Sequence, residues 1–203
     1  MELLLASNNA HKLEEFTRLF AGHRVVSPRQ EGIAFDFEEG GTSFLENALG
    51  KALALYRMAG RPVISDDSGL CVAALGGEPG VFSSRYGSGP GGKELETSER
   101  NAFLLSRMEG VTDRRAFFVC CLVLLLEESR YFVAQETVHG LITEAPRGRN
   151  GFGYDPLFLL PDRGLTIAEL PDTEKDLVSH RGRASRRIAG MLGLSNEPGG
   201  DTD

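Results

Sequence analysis

Ala116-Phe117-Phe118-Val119-Cys120-Cys121-Leu122-Val123-Leu124-Leu125-Leu126 is an unbroken apolar run of 11 residues. A bilayer span needs about 20 such residues, so this run reads as a strand buried on both faces of a sheet. Glu127-Glu128-Ser129-Arg130 follows, and Tyr131 to Leu141 then mixes apolar with polar positions, as a half-exposed strand does. Together these segments predict a long antiparallel hairpin.

Working outward, Leu3 to Ala6 is a short apolar strand that ends at Ser7-Asn8-Asn9. Leu13, Phe16, Leu19 and Phe20 then recur at helical spacing up to Gly22. Ser43-Phe44-Leu45-Glu46 has the capping-box pattern, with Phe44, Leu45, Ala48, Leu49, Ala52 and Leu55 on the apolar face before Gly60. Pro62 opens a strand, Val63-Ile64-Ser65, which leads into Asp66-Asp67-Ser68-Gly69-Leu70 as a turn. The stretch from Gly76 to Gly92 is rich in glycine. Thr97 or Ser98 is placed to cap a third helix through Phe103, Leu104, Leu105 and Met108 to Gly110. Beyond the hairpin come the loop from Pro146 to Asp155, a short strand from Pro156 to Leu160, and helical patterning at Glu174 to Val178 and Arg183 to Leu192. One domain is expected over residues 1–194, with a polar tail over 195–203.

With 22 Lys and Arg against 29 Asp and Glu, the chain carries a net charge of −7, the opposite of the basic footprint a duplex-binding surface requires. Nucleic acid is therefore not an expected partner, although a few convergent cations and backbone N–H groups can still hold a small phosphate ligand. The three cysteines, Cys71, Cys120 and Cys121, lack the spacing of a disulfide framework or a zinc site, and read as buried reduced thiols. Met1-Glu2 and Leu3-Leu4-Leu5 form no signal peptide, so the expected location is the cytoplasm, with no membrane partner.

Asp66-Asp67 offers adjacent carboxylates at the end of an apolar strand, the place where open α/β sheets hold ligands. Neighbours in a strand point to opposite faces, so one acid can brace the turn while the other reaches a site where Mg²⁺ would find oxygen ligands. A plain turn with a solvated acid explains the motif equally well. Ser7-Asn8-Asn9-Ala10-His11-Lys12 presents hydroxyl, amide and helix N-terminal N–H groups with a lysine one turn in, a phosphate cradle in outline. A simple N-cap by Asn9 also accounts for it. Phe152-Gly153-Tyr154-Asp155 sets aromatics and a carboxylate in a glycine-rich loop suited to stacking on a base, and Ser179-His180-Arg181-Gly182 adds cationic donors. No Ser, His and Asp arrangement argues for a nucleophile triad.

Six ordered motifs combine: Ser7 to Lys12, Phe44 to Ala48, Ser65 to Leu70, Gly80-Val81-Phe82-Ser83-Ser84-Arg85-Tyr86, Gly151 to Pro156, and Ser179 to Gly182. Over about residues 1–194 the chain resembles the inosine triphosphate pyrophosphatase family, the non-canonical purine nucleoside triphosphate pyrophosphatases. The resemblance implies a homodimeric α/β fold, with a mixed central sheet flanked by helices and two lobes around a cleft. It also implies Mg²⁺-dependent hydrolysis (Mn²⁺ substituting) of ITP, dITP and XTP between the α and β phosphates, which cleanses the nucleotide pool.

Carried over residue by residue, the resemblance makes Asp67 the general base and, with Glu38, the metal ligand. The substrate would meet the stretch Ser7, Asn8, Asn9, Ala10, His11 and Lys12, together with Lys51 and Ser68. Phe152, Gly153, Tyr154 and Asp155 would form the base pocket, and Lys175, His180 and Arg181 would reach the base edge. Ser7 stands where the family often has Thr, and His11 where a Gly is frequent. The alternatives are a pyrophosphatase of different base preference, which would differ at Phe152, Asp155 and His180, and a non-catalytic nucleotide sensor, which would lack the acids.

Overall fold

The computed structural model describes residues 1–89 and 94–191. The polar tail, the boundary at 194/195, and Gly91 and Gly92 of the glycine-rich stretch lie outside the described residues. The hairpin expected from the apolar run is present as β4 (Arg115–Glu127) and β5 (Arg130–Ile142), each 13 residues long. They pair antiparallel with Ala116 opposite Gly140 and Leu122 opposite Ala134.

Around the hairpin, β1 (Glu2–Leu5), β2 (Arg24–Val26), β3 (Val63–Val72), β6 (Phe158–Leu160) and β7 (Leu165–Thr166) complete one seven-stranded sheet. Its order is β2-β1-β3-β4-β5-β6-β7. β1 runs parallel to β2 and to β3, and the remaining pairs are antiparallel, so the sheet is mixed.

Helices cover both faces. α1 (Ala10–Leu19) and α5 (His180–Met191) bury Phe16, Ala184 and Ile188 against Leu3, Leu5, Ile64, Leu122 and Leu124. α2 (Phe44–Ala59) buries Ala48, Ala52 and Leu55 against Leu4, Val63, Val123 and Leu125 on the other face. Beyond the midpoint of the long strands a third cluster joins Leu70, Val72 and Phe118 to Leu104 and Met108 of α3 (Thr97–Arg107), with Leu157, Phe158 and Ile167. The halves of β3 thus belong to different hydrophobic clusters, and the stretch between Ile64 and Leu70 crosses from one lobe to the other.

Several elements differ from the sequence reading, among them the strand expected from Pro156, which starts at Phe158 after a single turn over Asp155–Leu157. The strand opened by Pro62 does not turn at Asp66; β3 pairs with β4 without a break from Val63 opposite Leu125 to Val72 opposite Ala116. The ladder supplies backbone partners and neighbouring cations compensate the acids, so tertiary pairing overrides the turn preference of Asp, Ser and Gly. The cap of α3 is Glu96, not Thr97 or Ser98; its N–H donates to the Glu99 carboxylate at 2.9 Å, which starts the helix one residue earlier. β2, three residues long, is too short to leave a periodic signal.

Candidate active site

Between the lobes lies a cleft of about 300 Å³. β1 ends at Leu5, and Asn9 then caps α1 by accepting from the N–H groups of His11 at 2.9 Å and Lys12 at 3.3 Å. The Ser7 hydroxyl accepts from Asn9 N–H at 3.2 Å, which fixes the turn. Ser7, Asn9, His11 and Lys12 line the cleft, whereas Asn8 and Ala10 do not; the Asn8 amide instead donates to the Phe35 carbonyl at 3.1 Å. The Asn9 cap and a role at the cleft therefore coexist.

The alternation of β3 separates its two acids. Asp66 sits in an ion cluster: Lys12 Nζ is 2.9 Å from Oδ1, while Arg181 Nε and the Ser68 hydroxyl donate to Oδ2 at 3.1 and 2.7 Å. Burial pushes its carboxyl up, but Lys12, Arg181 and Lys51 outweigh that and hold it far below the usual carboxylate range. Asp67 faces the cleft. The Asn47 amide donates to its Oδ2 at 2.9 Å and Ser68 N–H to its Oδ1 at 3.1 Å. Burial is its leading influence and, assisted by Glu39 and opposed by Lys51, raises its pKa. Gly69 must be glycine, because a Cβ there would stand 2.3 Å from the Gly80 carbonyl oxygen.

Lys51 projects from α2 to donate to the Asp66 carbonyl at 2.9 Å and to the Glu39 carboxylate, with Asp67 Oδ1 3.9 Å away. The structure therefore brings Glu39, not Glu38, to the cleft; Glu38 is exposed and lines no part of it. Along the irregular segment from residue 33 to 40 exposure alternates residue by residue, so that of the two adjacent acids Glu39 turns inward and Glu38 outward.

Opposite these acids, Phe152, Gly153, Tyr154 and Asp155 form a wall. Asp155 Oδ2 accepts from Phe152 N–H at 2.9 Å and from Lys175 Nζ at 2.8 Å, closing the loop on itself. Gly151, at φ 72°, leaves room for that carboxylate, since a Cβ would come within 2.1 Å of it. Phe152 carries His11 stacked on its ring at 5.5 Å between centroids and 14° between planes, with Lys175 Nζ and the Arg181 guanidinium each 4.9 Å from its centroid. His180 stacks on Phe118 at 4.7 Å; burial first, then Arg181 and Lys175, lower its pKa well below the ordinary value and favour the neutral imidazole. Ser68 and Arg181 complete the lining, while Lys175 stands behind Phe152.

Sequence reasoning gave no role to Asn47, which lies one helical turn before Lys51 on the same face. It also passed over Glu15, three residues past Lys12. Glu15 is buried, with Oε2 3.4 Å from Arg181 Nη1 and 3.8 Å from Lys175 Nζ. Asn101, whose amide donates to the Gly153 carbonyl at 3.1 Å, was invisible because its partner lies 52 residues away.

This geometry has close relatives. A Treponema denticola protein named dITP/XTP pyrophosphatase is 50% identical over 192 residues, 95% of this chain and 98% of that one. A protein of the same name from Aromatoleum aromaticum is 47% identical, over 94% of this chain and 96% of its own. The solved structure of a HAM1 protein from Coxiella burnetii superposes with a TM-score of 0.85 at 38% identity, covering 96% of this chain and 100% of that chain. The Staphylococcus aureus Ham1 protein gives 0.83 at 37% identity, covering 95% and 98%. The Ham1 family model matches residues 3–191, from the first strand through the last helix and every side chain of the cleft, and the chain belongs to the Ham1 family.

Proposed function

We propose that this protein hydrolyses non-canonical purine nucleoside triphosphates, ITP, dITP and XTP, to the monophosphate and pyrophosphate. The observation that carries the reading is Asp67: a buried, up-shifted carboxylate gripped by Asn47 and Ser68 N–H groups, in a cleft that also holds Lys12 and the stacking ring of Phe152. The activity for which the relatives are named supports it.

The chemistry assigns Asp67 as general base, taking the proton of the water that attacks the α-phosphorus. Its raised pKa strengthens it as a proton acceptor, and its two hydrogen bonds aim it. Lys12, Ser7 and the helix N–H groups beside them would bind phosphate oxygens. Lys51 would turn from Glu39 to the leaving pyrophosphate. Phe152 would stack on the purine, with Asp155, His180 and Arg181 at its edge and Lys175 bracing Asp155 from behind the ring.

A divalent cation is part of the proposal, with Glu39 taking the place first given to Glu38. Glu39 and Asp67 offer only oxygen atoms and share Lys51 as neighbour. Among the described residues no cluster of three or more His, Cys, Asp or Glu could hold a metal. Two carboxylates suit Mg²⁺, which is bound through one or two carboxylates plus waters and substrate phosphates. When bound it would neutralise phosphate charge and lower the pKa of water. We further propose a cytoplasmic homodimer acting on free nucleotides. No helix among the described residues is long and apolar enough to cross a membrane.

The test is pyrophosphate release from ITP, XTP, GTP, ATP and dTTP, with and without Mg²⁺. Excess EDTA should stop turnover reversibly and Mn²⁺ should restore it. Arg181 can donate to a 6-keto oxygen but would face the amino donor of adenine, and an unpaired buried donor costs about 1 to 3 kcal/mol. The 2-amino group of guanine would be shut out by the wall of residues 152–155. A kcat/KM for ITP at least about tenfold above ATP and GTP is expected. Selectivity for another base would retain the pyrophosphatase and overturn its substrate, and binding without release would mark a sensor.

A further inference from the structure

Gly80-Val81-Phe82-Ser83-Ser84-Arg85-Tyr86 takes no part in the chemistry above, yet its polar groups are engaged with the walls of the cleft. The Ser83 hydroxyl accepts from Leu70 N–H at 2.8 Å, which pins the segment to β3. The Tyr154 hydroxyl donates to the Ser83 carbonyl at 3.0 Å, and the Arg100 guanidinium donates to the Ser84 carbonyl. Arg85 reaches the opposite way. Its Nη2 donates to the main-chain carbonyl of Glu39 at 2.9 Å, and its Nη1 lies 3.9 Å from Glu39 Oε2. The guanidinium also sits over the Phe82 ring, 5.0 Å from its centroid.

The segment that carries Glu39 packs Ile33 and Phe35 on the core beside α2 but has few other polar ties. Residues 33–41 adopt no regular secondary structure. Asn8 holds the Phe35 carbonyl at one end, and the Asn47 side chain holds Gly41 N–H at the other. Among the described residues, Arg85 is the side chain that hydrogen-bonds the main chain of Glu39 itself. Lys51 grips only the carboxylate, and it also serves Asp66 and neighbours Asp67.

We propose that Arg85 is the positioning residue for Glu39: by fixing the backbone there it holds the carboxylate in the cleft with Asp67, and so sets the affinity for a divalent cation without touching substrate. This rests on the reading of Glu39 and Asp67 as the carboxylates that hold the cation. Order supplied in advance need not be supplied at binding. The positive charge of Arg85 opposes a cation, but the side chain is about a third exposed and its carboxylate contact is beyond hydrogen-bond reach. Solvent screening weakens that repulsion. The hydrogen bond to the carbonyl is the closer contact, so ordering outweighs charge.

The test titrates Mn²⁺ into the protein with the non-hydrolysable α,β-methylene analogue of ITP, read by electron paramagnetic resonance, beside the Mg²⁺ activation constant for pyrophosphate release. Arg85→Ala should weaken Mn²⁺ binding and raise the activation constant by roughly tenfold, the equivalent of fixing one residue. At saturating Mg²⁺, kcat and the nucleotide KM should stay within about twofold of wild type. Arg85→Lys should fall between, because an ammonium can still donate to the Glu39 carbonyl but lacks the planar, preorganised guanidinium that fixes it. Thermal melting of both variants without metal reports whether the fold is kept. Mn²⁺ binding that is unchanged or tighter in Arg85→Ala overturns the proposal, as does a loss of kcat at every Mg²⁺ concentration with binding intact. Glu39→Gln separates the two failures. Unchanged Mn²⁺ binding there overturns the metal reading and this proposal with it, whereas a loss there with none in Arg85→Ala overturns the proposal alone.

Discussion

Replacing Asp67 with Asn is expected to lower turnover by a factor of about 10² or more, the contribution of a positioned general base. The side chain keeps its size, but both of its oxygens now accept from fixed donors, the Asn47 amide at 2.9 Å and Ser68 N–H at 3.1 Å. An asparagine amide can satisfy only one of them as an acceptor and sets its NH₂ against the other. Single-turnover pyrophosphate release measures the effect, and rates near wild type would remove Asp67 from the mechanism. The pH profile provides a second readout. Burial raises the Asp67 pKa, and both proton abstraction and cation binding need the deprotonated form, so activity should fall as pH drops and the carboxylate takes up a proton. The variant should lose that acid limb.

Asp66→Asn is expected to act on stability. Asp66 is buried and meets Lys12 at 2.9 Å and Arg181 at 3.1 Å, so its loss strands Lys12 and leaves Arg181 with Glu15 alone. Breaking a buried pair in this way costs about 3 to 5 kcal/mol, which in a chain of this size lowers Tm by roughly 6 to 20 °C. The sign with pH follows from the depressed folded pKa. The contribution is fully present above the unfolded value near 3.9 and is lost as pH falls below it toward the folded value. Wild type should therefore shed stability in acid more steeply than Asp66→Asn. Equal melting of the two proteins at pH 7 would show that the cluster contributes nothing.

The hairpin and α2 were legible because their signals are local: an unbroken apolar run, and an N-cap serine followed by one apolar face. Asp66 to Gly69 was misread as a turn because the cations that let two acids lie in a buried strand come from Lys12, Lys51 and Arg181, on three different helices. The motif named the residues and the fold supplied their environment. Glu38 and Glu39 were indistinguishable for a related reason: which one turns inward depends on the phase of an irregular segment tied to Arg85 and Lys51. Glu15 looked like an ordinary acid on an amphipathic helix until α4 (Asp172–Val178) and α5 brought Lys175 and Arg181 beside it.

The two-residue connection Glu128-Ser129 between β4 and β5 also sets an order of events during folding. Glu127 pairs with Arg130, so this ladder can zip from its own turn, on the scale of about 1–10 μs for an isolated hairpin. β3 reaches β4 only by closing the chain between Val72 and Ala116, and β1 reaches β3 by joining Leu4 to Val63. Longer closures cost more entropy before any contact compensates for them. The strand with the two acids is thus a late arrival on a template already built. In pulse-labelled hydrogen exchange, amides of β4 and β5 should gain protection before those of Asp66 to Leu70, and simultaneous protection would contradict this sequence. A nascent molecule then holds its acids in water, where they are solvated, and buries them only when Lys12 and Arg181 are at hand to receive them.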